Sequence, residues 1–101
     1  MILSFELSMP NNNAWNGKWS GEERLYAKVI NLGKSKKANL KAQKIIDGGS
    51  YYYNFGDGWG ASVSVREVDS TEARKIRNKS NGFCGYEWMI ESIRYHGEIK
   101  T

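Results

Sequence analysis

The sequence predicts an α+β domain: a small antiparallel sheet of about four strands, with two to three helices packed on one face, in the order ββαββαα. Three observations predict this class. Apolar residues alternate near the N-terminus and on both sides of a glycine-rich turn at 56–58, which is typical of half-buried strands. In two other segments they recur at helical spacing, and a third segment has a capping-box start. A length of 101 residues suits one domain, which we place over 1–101.

The first two strands are predicted over 2–9 and 25–32. In the first, Leu3, Phe5, Leu7 and Met9 share one face, and Pro10 is expected to end the strand. The polar segment that follows, NNNAWNGKWSGEE, is predicted to be a loop. The second strand is apolar on both sides, which predicts a central place in the sheet.

The stretch YYYNFGDGWGASVSV predicts a hairpin with two competing registers. A two-residue turn at Asp57-Gly58 would place the tyrosines of the first strand opposite glycine and serines. A three-residue loop at 56–58 gathers the strongly apolar residues on one face and leaves Tyr52 on the other. We therefore predict the three-residue loop.

Three segments have the end signals of helices. Ser35 can cap the first and the Gly48–Gly49 pair can end it, although a strand over 41–46 is the alternative. The second starts with a capping-box pattern at Asp69 and runs to about Lys79. The third ends at Gly97 and carries an apolar stripe, formed by Tyr86, Met89, Ile90 and Ile93.

Composition bounds the partners and the location. The net charge is +4 and the pI about 9.2, which favours nucleic acid, nucleotides or an acidic protein surface as partners. The sequence has no apolar run of about 18 residues, so we expect no membrane span. With one cysteine and no signal-peptide pattern in MILSFELSMP, we expect a cytoplasmic location.

The sequence contains no pattern typical of a catalytic centre. Its one cysteine, Cys84, and its one histidine, His96, would lie about 18 Å apart along a shared helix, so they make no nucleophile–base pair. We expect no enzymatic activity, no cofactor and no metal. A metal-dependent hydrolase that uses Asp57, Glu6 or Glu87 is the lowest-ranked hypothesis.

The binding candidates are aromatic and basic. Two tryptophans in a polar segment could stack on bases or dock on a protein, and two basic clusters, at 34–44 and 74–79, could contact phosphates. The sequence leaves open whether these clusters converge. The predicted binding residues are Trp15, Lys18, Trp19, Arg24, Tyr52, Arg74 and Arg77.

Three stretches, WNGKWSG, YYYNFGDGWGASVSV and GFCGYEWMI, resemble those of small accessory proteins of phages and prophages. The resemblance covers most of the chain and carries over a context rather than individual residues. It implies a role in infection, in which such proteins often block host defences by binding.

The leading hypothesis is therefore a non-catalytic, phage-type protein that counters a host immune system. Its partner would be a host immune protein, as for a CRISPR inhibitor, or an anionic nucleotide signal that it sequesters. The alternative is an accessory protein that binds DNA or RNA directly and loses affinity steeply with salt. A homodimer through a sheet edge is compatible with either hypothesis.

Overall fold

Seven elements follow the predicted order ββαββαα in a computed structural model that describes residues 1–13, 18–56, 59–79 and 85–100. The strands form one four-stranded antiparallel sheet. This confirms the α+β class. The elements are β1 (Ile2–Asn13), β2 (Lys18–Asn31), α1 (Lys36–Asp47), β3 (Ser50–Gly56), β4 (Trp59–Val68), α2 (Ser70–Lys79) and α3 (Glu87–His96).

The sheet is built around β1, in the strand order β2-β1-β4-β3. Leu3, Phe5 and Leu7 of β1 are fully buried, and Phe5 pairs with Lys28 of β2 and Val65 of β4. Alternate residues of β1 point to the same side, so these three define what we call the main face of the sheet. The other side is called the opposite face.

The structure shows that the predicted central position of β2 is wrong, because β2 forms one outer edge. Its apolar residues have partners on both sides for a different reason. Tyr26 and Ile30 pack against the core of the main face, whereas Val29 packs with Val68 and Ala73 on the opposite face. A helix beneath the strand therefore explains a pattern that usually indicates burial between two strands.

The prediction that the first strand ends at Pro10 is wrong. Pairing between β1 and β2 continues to Asn13 opposite Lys18, with an irregularity between Pro10 and Asn12. Proline has no N–H to donate to the ladder, and here that loss coincides with a bulge rather than with the end of the strand. Most of the predicted polar loop is thus a two-stranded ribbon, whose connecting residues 14–17 lie outside the described residues.

The hairpin formed by β3 and β4 has the predicted register. Tyr51 pairs with Val63 and Tyr53 with Ala61, so the apolar residues share the main face. The shift that achieves this is a bulge between Asn54 and Gly56. Gly56 has φ of 96°, a left-handed conformation that favours glycine. The loop residues 57–58 lie outside the described part of the chain.

The predicted caps hold at the helix ends that the structure describes. Ser35 Oγ accepts a hydrogen bond from the Ala38 N–H at 3.1 Å and starts α1, which excludes the alternative strand over 41–46. Asp69 Oδ1 accepts from the Glu72 N–H at 2.8 Å and starts α2. The third helix ends at Gly97, as expected.

The helices cover the two faces unequally. Ala42 and Ile45 of α1 and the apolar stripe of α3 complete the core of the main face. Helix α2 packs instead on one end of the opposite face, where Ala73 contacts Val29 and Val68. The predicted layer of helices on one face is therefore made by two of the three helices.

The orientation of α1 can be tested by two truncations on the same helix. Ile45 is 5% exposed and Leu40 is 63% exposed. We expect Ile45→Ala to lower the free energy of unfolding by about 2–5 kcal/mol, because it leaves a cavity. We expect Leu40→Ala to change it by less than about 0.5 kcal/mol. Urea denaturation of both variants measures the difference, and equal losses would contradict this orientation.

Candidate functional site

The predicted binding residues do not form one patch in the part of the chain that the structure describes. Trp15 lies outside that part. Strand β2 includes Lys18, Trp19 and Arg24, but the structure describes only the backbone of these residues. The tryptophan segment therefore stays a prediction.

Of the other three predicted residues, Tyr52 lies apart from the two arginines. Tyr52 is 73% exposed on β3, at one edge of the sheet. Arg74 and Arg77 are exposed on α2, which packs against β2 and β1. Tyr52 and α2 are both on the opposite face, but α2 packs where β4 ends at Val68, whereas Tyr52 pairs with Ser62, six residues earlier in β4.

The two basic clusters also lie apart. The lysines of the first cluster are on or just before α1, which covers the main face, whereas Arg74, Lys75 and Arg77 are on α2 over the opposite face. The described residues of the two clusters therefore lie over different faces of the sheet.

The carboxylates of the hydrolase hypothesis are separated as well. Glu6, on the opposite face, accepts from Arg66 Nε at 2.9 Å, and Arg66 also donates to Glu72 at 2.5 Å. Both hydrogen bonds raise the pKa of Arg66 above its ordinary value, and the bond to Glu72 has the larger effect. Glu87 begins α3 on the side of the main face, and Asp57 is outside the described residues.

A cleft of about 530 Å³ lies between the C-terminal ends of α1 and α3, beside the start of β3. This volume falls in the range of small-molecule sites. Sequence reasoning did not identify the cleft, because residues far apart in the chain form it. Its lining consists of Lys41, Lys44, Ile45, Gly48, Tyr51, Ile93, Arg94, Tyr95, His96 and Gly97.

Tyr51 ties the α1 wall of the cleft to the sheet. It is 7% exposed, and its hydroxyl donates to the Ile45 carbonyl oxygen at 2.5 Å. A Cβ atom at Gly48 would lie 2.2 Å from that hydroxyl oxygen, so only glycine leaves room for the ring. Burial and, to a smaller extent, the charge of Asp47 raise the pKa of the Tyr51 hydroxyl, which stays a hydrogen-bond donor at neutral pH.

The charge of the lining has one sign. Lys41, Lys44 and Arg94 carry positive charges, His96 adds an imidazole, and none of the described residues that line the cleft is acidic. Arg94 pairs with the carboxylate of Glu91, outside the lining, at 3.6 Å. The cleft therefore offers several donors to an anion.

An aromatic ring holds two of these cations at the rim. Tyr95 is 64% exposed, with the Lys41 ammonium 5.0 Å and the Arg94 guanidinium carbon 5.8 Å from its ring centre. Both distances are within the range of cation–π attraction. Tyr95 thus keeps a lysine of α1 beside an arginine of α3.

Helix electrostatics explain part of this arrangement. Lys44 lies in the last turn of α1, and Arg94 and His96 lie in the last turn of α3, where cations stabilise the helix dipole. This effect acts on each helix separately, and it gives no reason for the two ends to meet at one cleft with Lys41. In addition, the buried Arg94 Nε has no hydrogen-bond partner among the described residues.

The C-terminal wall is fixed by a buried serine. Ser92 Oγ donates to the Glu98 carbonyl oxygen and accepts from the Lys100 N–H, both at 2.8 Å. Ile99 packs against the core of the main face between these two bonds. The chain after α3 is thereby held against the helix, which keeps 94–97 in place.

Within the described ranges, no group of three His, Cys, Asp or Glu residues is placed to hold a metal ion. No helix there is long and apolar enough to cross a membrane. Comparisons of the chain with protein-family models, with curated proteins and with solved structures found no match. The site must therefore be interpreted from its own geometry.

The contact between Gly48 and Tyr51 predicts a coupled pair of substitutions. Gly48→Ala should lower the free energy of unfolding by about 1–3 kcal/mol, because the new methyl group collides with the ring. In a Tyr51→Leu background, which removes the collision, the same substitution should cost clearly less. The control is Gly49→Ala. Gly49 has φ of 75°, and an added Cβ atom there would have no neighbour within 4 Å. The loss of unfolding free energy for Gly49→Ala should therefore be the same in the wild type and in the Tyr51→Leu background. Additive losses for Gly48→Ala would contradict the contact.

The raised pKa of Tyr51 predicts a loss of stability in alkali. Above the ordinary value of 10.0 the unfolded chain releases this proton, while the folded chain keeps it until its higher pKa is reached. The wild type should therefore lose more unfolding free energy than Tyr51→Phe between neutral pH and about pH 11. Urea denaturation at both pH values measures this, and parallel losses would contradict it.

Proposed function

We propose that the protein is a non-catalytic binding protein that takes a phosphate-bearing small molecule, of the nucleotide class, in the cleft between α1 and α3. One observation carries the proposal: three cationic side chains and a histidine from two helices converge on one cleft whose described lining has no acid. The positive charge of the cleft agrees with the basic composition of the whole chain.

The donors suit phosphate oxygens. The guanidinium of Arg94 presents planar donors that match a phosphate, and the ammonium groups of Lys41 and Lys44 are compact charges that bind it from other directions. Lys41 and Arg94 are positioned by the same Tyr95 ring, so part of this arrangement exists before a ligand arrives. Such preorganisation lowers the entropy lost on binding.

The remaining lining suits a heterocyclic base. Ile45, Ile93 and the ring of Tyr51 contribute apolar surface beside the cations. A ligand that carries both a charged group and a flat apolar ring would use both parts of the cleft. Nucleotides have this combination, whereas inorganic phosphate would use only the cations.

A small ligand fits the structure better than a polymer does. A nucleic acid would need an extended basic surface, but the lysines of α1 and the arginines of α2 lie over different faces of the sheet. In the phage context that the sequence resemblance implies, sequestration of a nucleotide signal would counter a host immune response. A host immune protein as partner and direct DNA or RNA binding are the competing outcomes.

Calorimetric titration tests the proposal. The ligands are nucleoside mono-, di- and triphosphates, cyclic mono- and dinucleotides, the matching nucleosides, pyrophosphate, and short DNA and RNA, each at low and moderate salt. We expect a nucleotide to bind and its nucleoside to bind far more weakly. Failure of every nucleotide to bind would overturn the proposal, and binding of polymers alone with steep salt dependence would favour the nucleic-acid alternative.

A pair of charge reversals on α1 locates the binding. Lys44→Glu should weaken nucleotide binding by at least about tenfold, because it replaces a cation of the cleft by an anion. Lys37→Glu changes the net charge equally on an exposed residue outside the lining, and it should change the affinity by less than about twofold. Equal losses in the two variants would show non-specific attraction and contradict the cleft as the site.

A further inference from the structure

The outer edge formed by β3 has no charged residue. Its sequence, SYYYNFG, contrasts with that of β2, the other edge, which contains five charged residues in fourteen. Proteins usually protect edge strands with charges, prolines or bulges, because an edge carries unpaired backbone donors and acceptors. Only the bulge between Asn54 and Gly56 interrupts β3, so Ser50 to Asn54 stay open to pairing.

Aromatic surface flanks this edge on both faces of the sheet. On the opposite face, Tyr52 is 73% exposed. On the main face, Tyr53 stacks edge-to-face on Phe55 and on Trp88, with ring centres 4.9 Å and 5.1 Å apart. Trp88 is still 37% exposed, and Tyr53 and Phe55 are half-buried. The edge therefore combines open backbone groups with apolar surface that the described part of the chain does not cover.

We infer that β3 pairs antiparallel with β3 of a second copy of this chain, about a two-fold axis at Tyr52. In this register Tyr52 of one copy lies opposite Tyr52 of the other, Tyr51 lies opposite Tyr53, and Ser50 lies opposite Asn54. Each pair joins residues of the same face, so the main face of one copy continues into that of the other. A register shifted by one residue would place core tyrosines opposite exposed residues.

The charge distribution identifies a second copy as the occupant. Each chain has a net charge of +4, so two copies repel one another over most of their surface. The β3 strand adds no charge to this repulsion, and a two-fold contact is self-complementary by symmetry. An uncharged edge also gives no means of selecting an acidic or a basic peptide from elsewhere.

The pairing has a consequence for the cleft. Tyr51, which forms part of its lining, is on β3. The two-fold axis would stand perpendicular to the sheet, so both clefts would open on the same side of one eight-stranded sheet. The inference does not rest on the proposed ligand, because the edge exists whether or not the cleft is occupied.

Sedimentation velocity over a range of protein concentrations tests the dimer. We expect the wild type to form a dimer and Tyr52→Lys to be monomeric, because two like charges would face each other at the axis. Leu40→Lys adds the same charge at an equally exposed apolar residue, and it should leave the dimer intact. Circular dichroism of both variants checks that they fold. A monomeric wild type, or a Tyr52→Lys variant as dimeric as the wild type, would overturn the inference.

Cross-linking tests the register. In a Cys84→Ser background, Tyr52→Cys should form a disulfide-linked dimer on mild oxidation, because directly opposed Cα atoms of antiparallel strands lie about 4.5–5.5 Å apart, within the range that a disulfide spans. Leu40→Cys in the same background should not cross-link efficiently. A dimer that Tyr52→Cys fails to link would overturn the two-fold axis at this residue.

Discussion

One buried hydrogen bond holds the cleft together. The Tyr51 hydroxyl donates to the Ile45 carbonyl oxygen and so ties the last turn of α1 to the start of β3. The bond needs a glycine at position 48, because any side chain there would occupy the space of the phenol ring. Since Ile45 also packs in the core of the main face, the position of this wall follows from the packing of the sheet.

The chemistry of the cleft follows from where two helices end. Cations are favoured at helix C-termini, and the fold brings the C-termini of α1 and α3 to the same place. The result is a local excess of positive charge above an apolar floor. Tyr95 adds order to this charge, because its ring attracts a lysine from one helix and an arginine from the other.

Local signals predicted the fold well, and non-local contacts account for what they missed. Ser35 and Asp69 cap the helices they were expected to cap, because a cap depends only on the next few residues. The apolar residues on both sides of β2 reflect α2 beneath this edge strand, which no local pattern shows. The site was missed for the same reason: the sequence pattern places Tyr51 on the apolar face of the hairpin, and it shows His96 only as the residue before the glycine that ends α3. Each interpretation is sound alone, and only tertiary structure brings the two together. A search for basic residues in the last turns of both helices would have found three of the ten lining residues, Lys44, Arg94 and His96.

The most direct test of the central claim is a backbone NMR titration of the full chain with the nucleotide that binds best. If the cleft is the site, saturable chemical-shift changes should concentrate in the amides of 44–51 and 93–97, which belong to the end of α1, the start of β3 and the end of α3. The amides of Arg74 and Arg77 on α2 should stay unchanged. Shifts centred on α2 or on the ribbon at 18–24, with the cleft unaffected, would contradict the account.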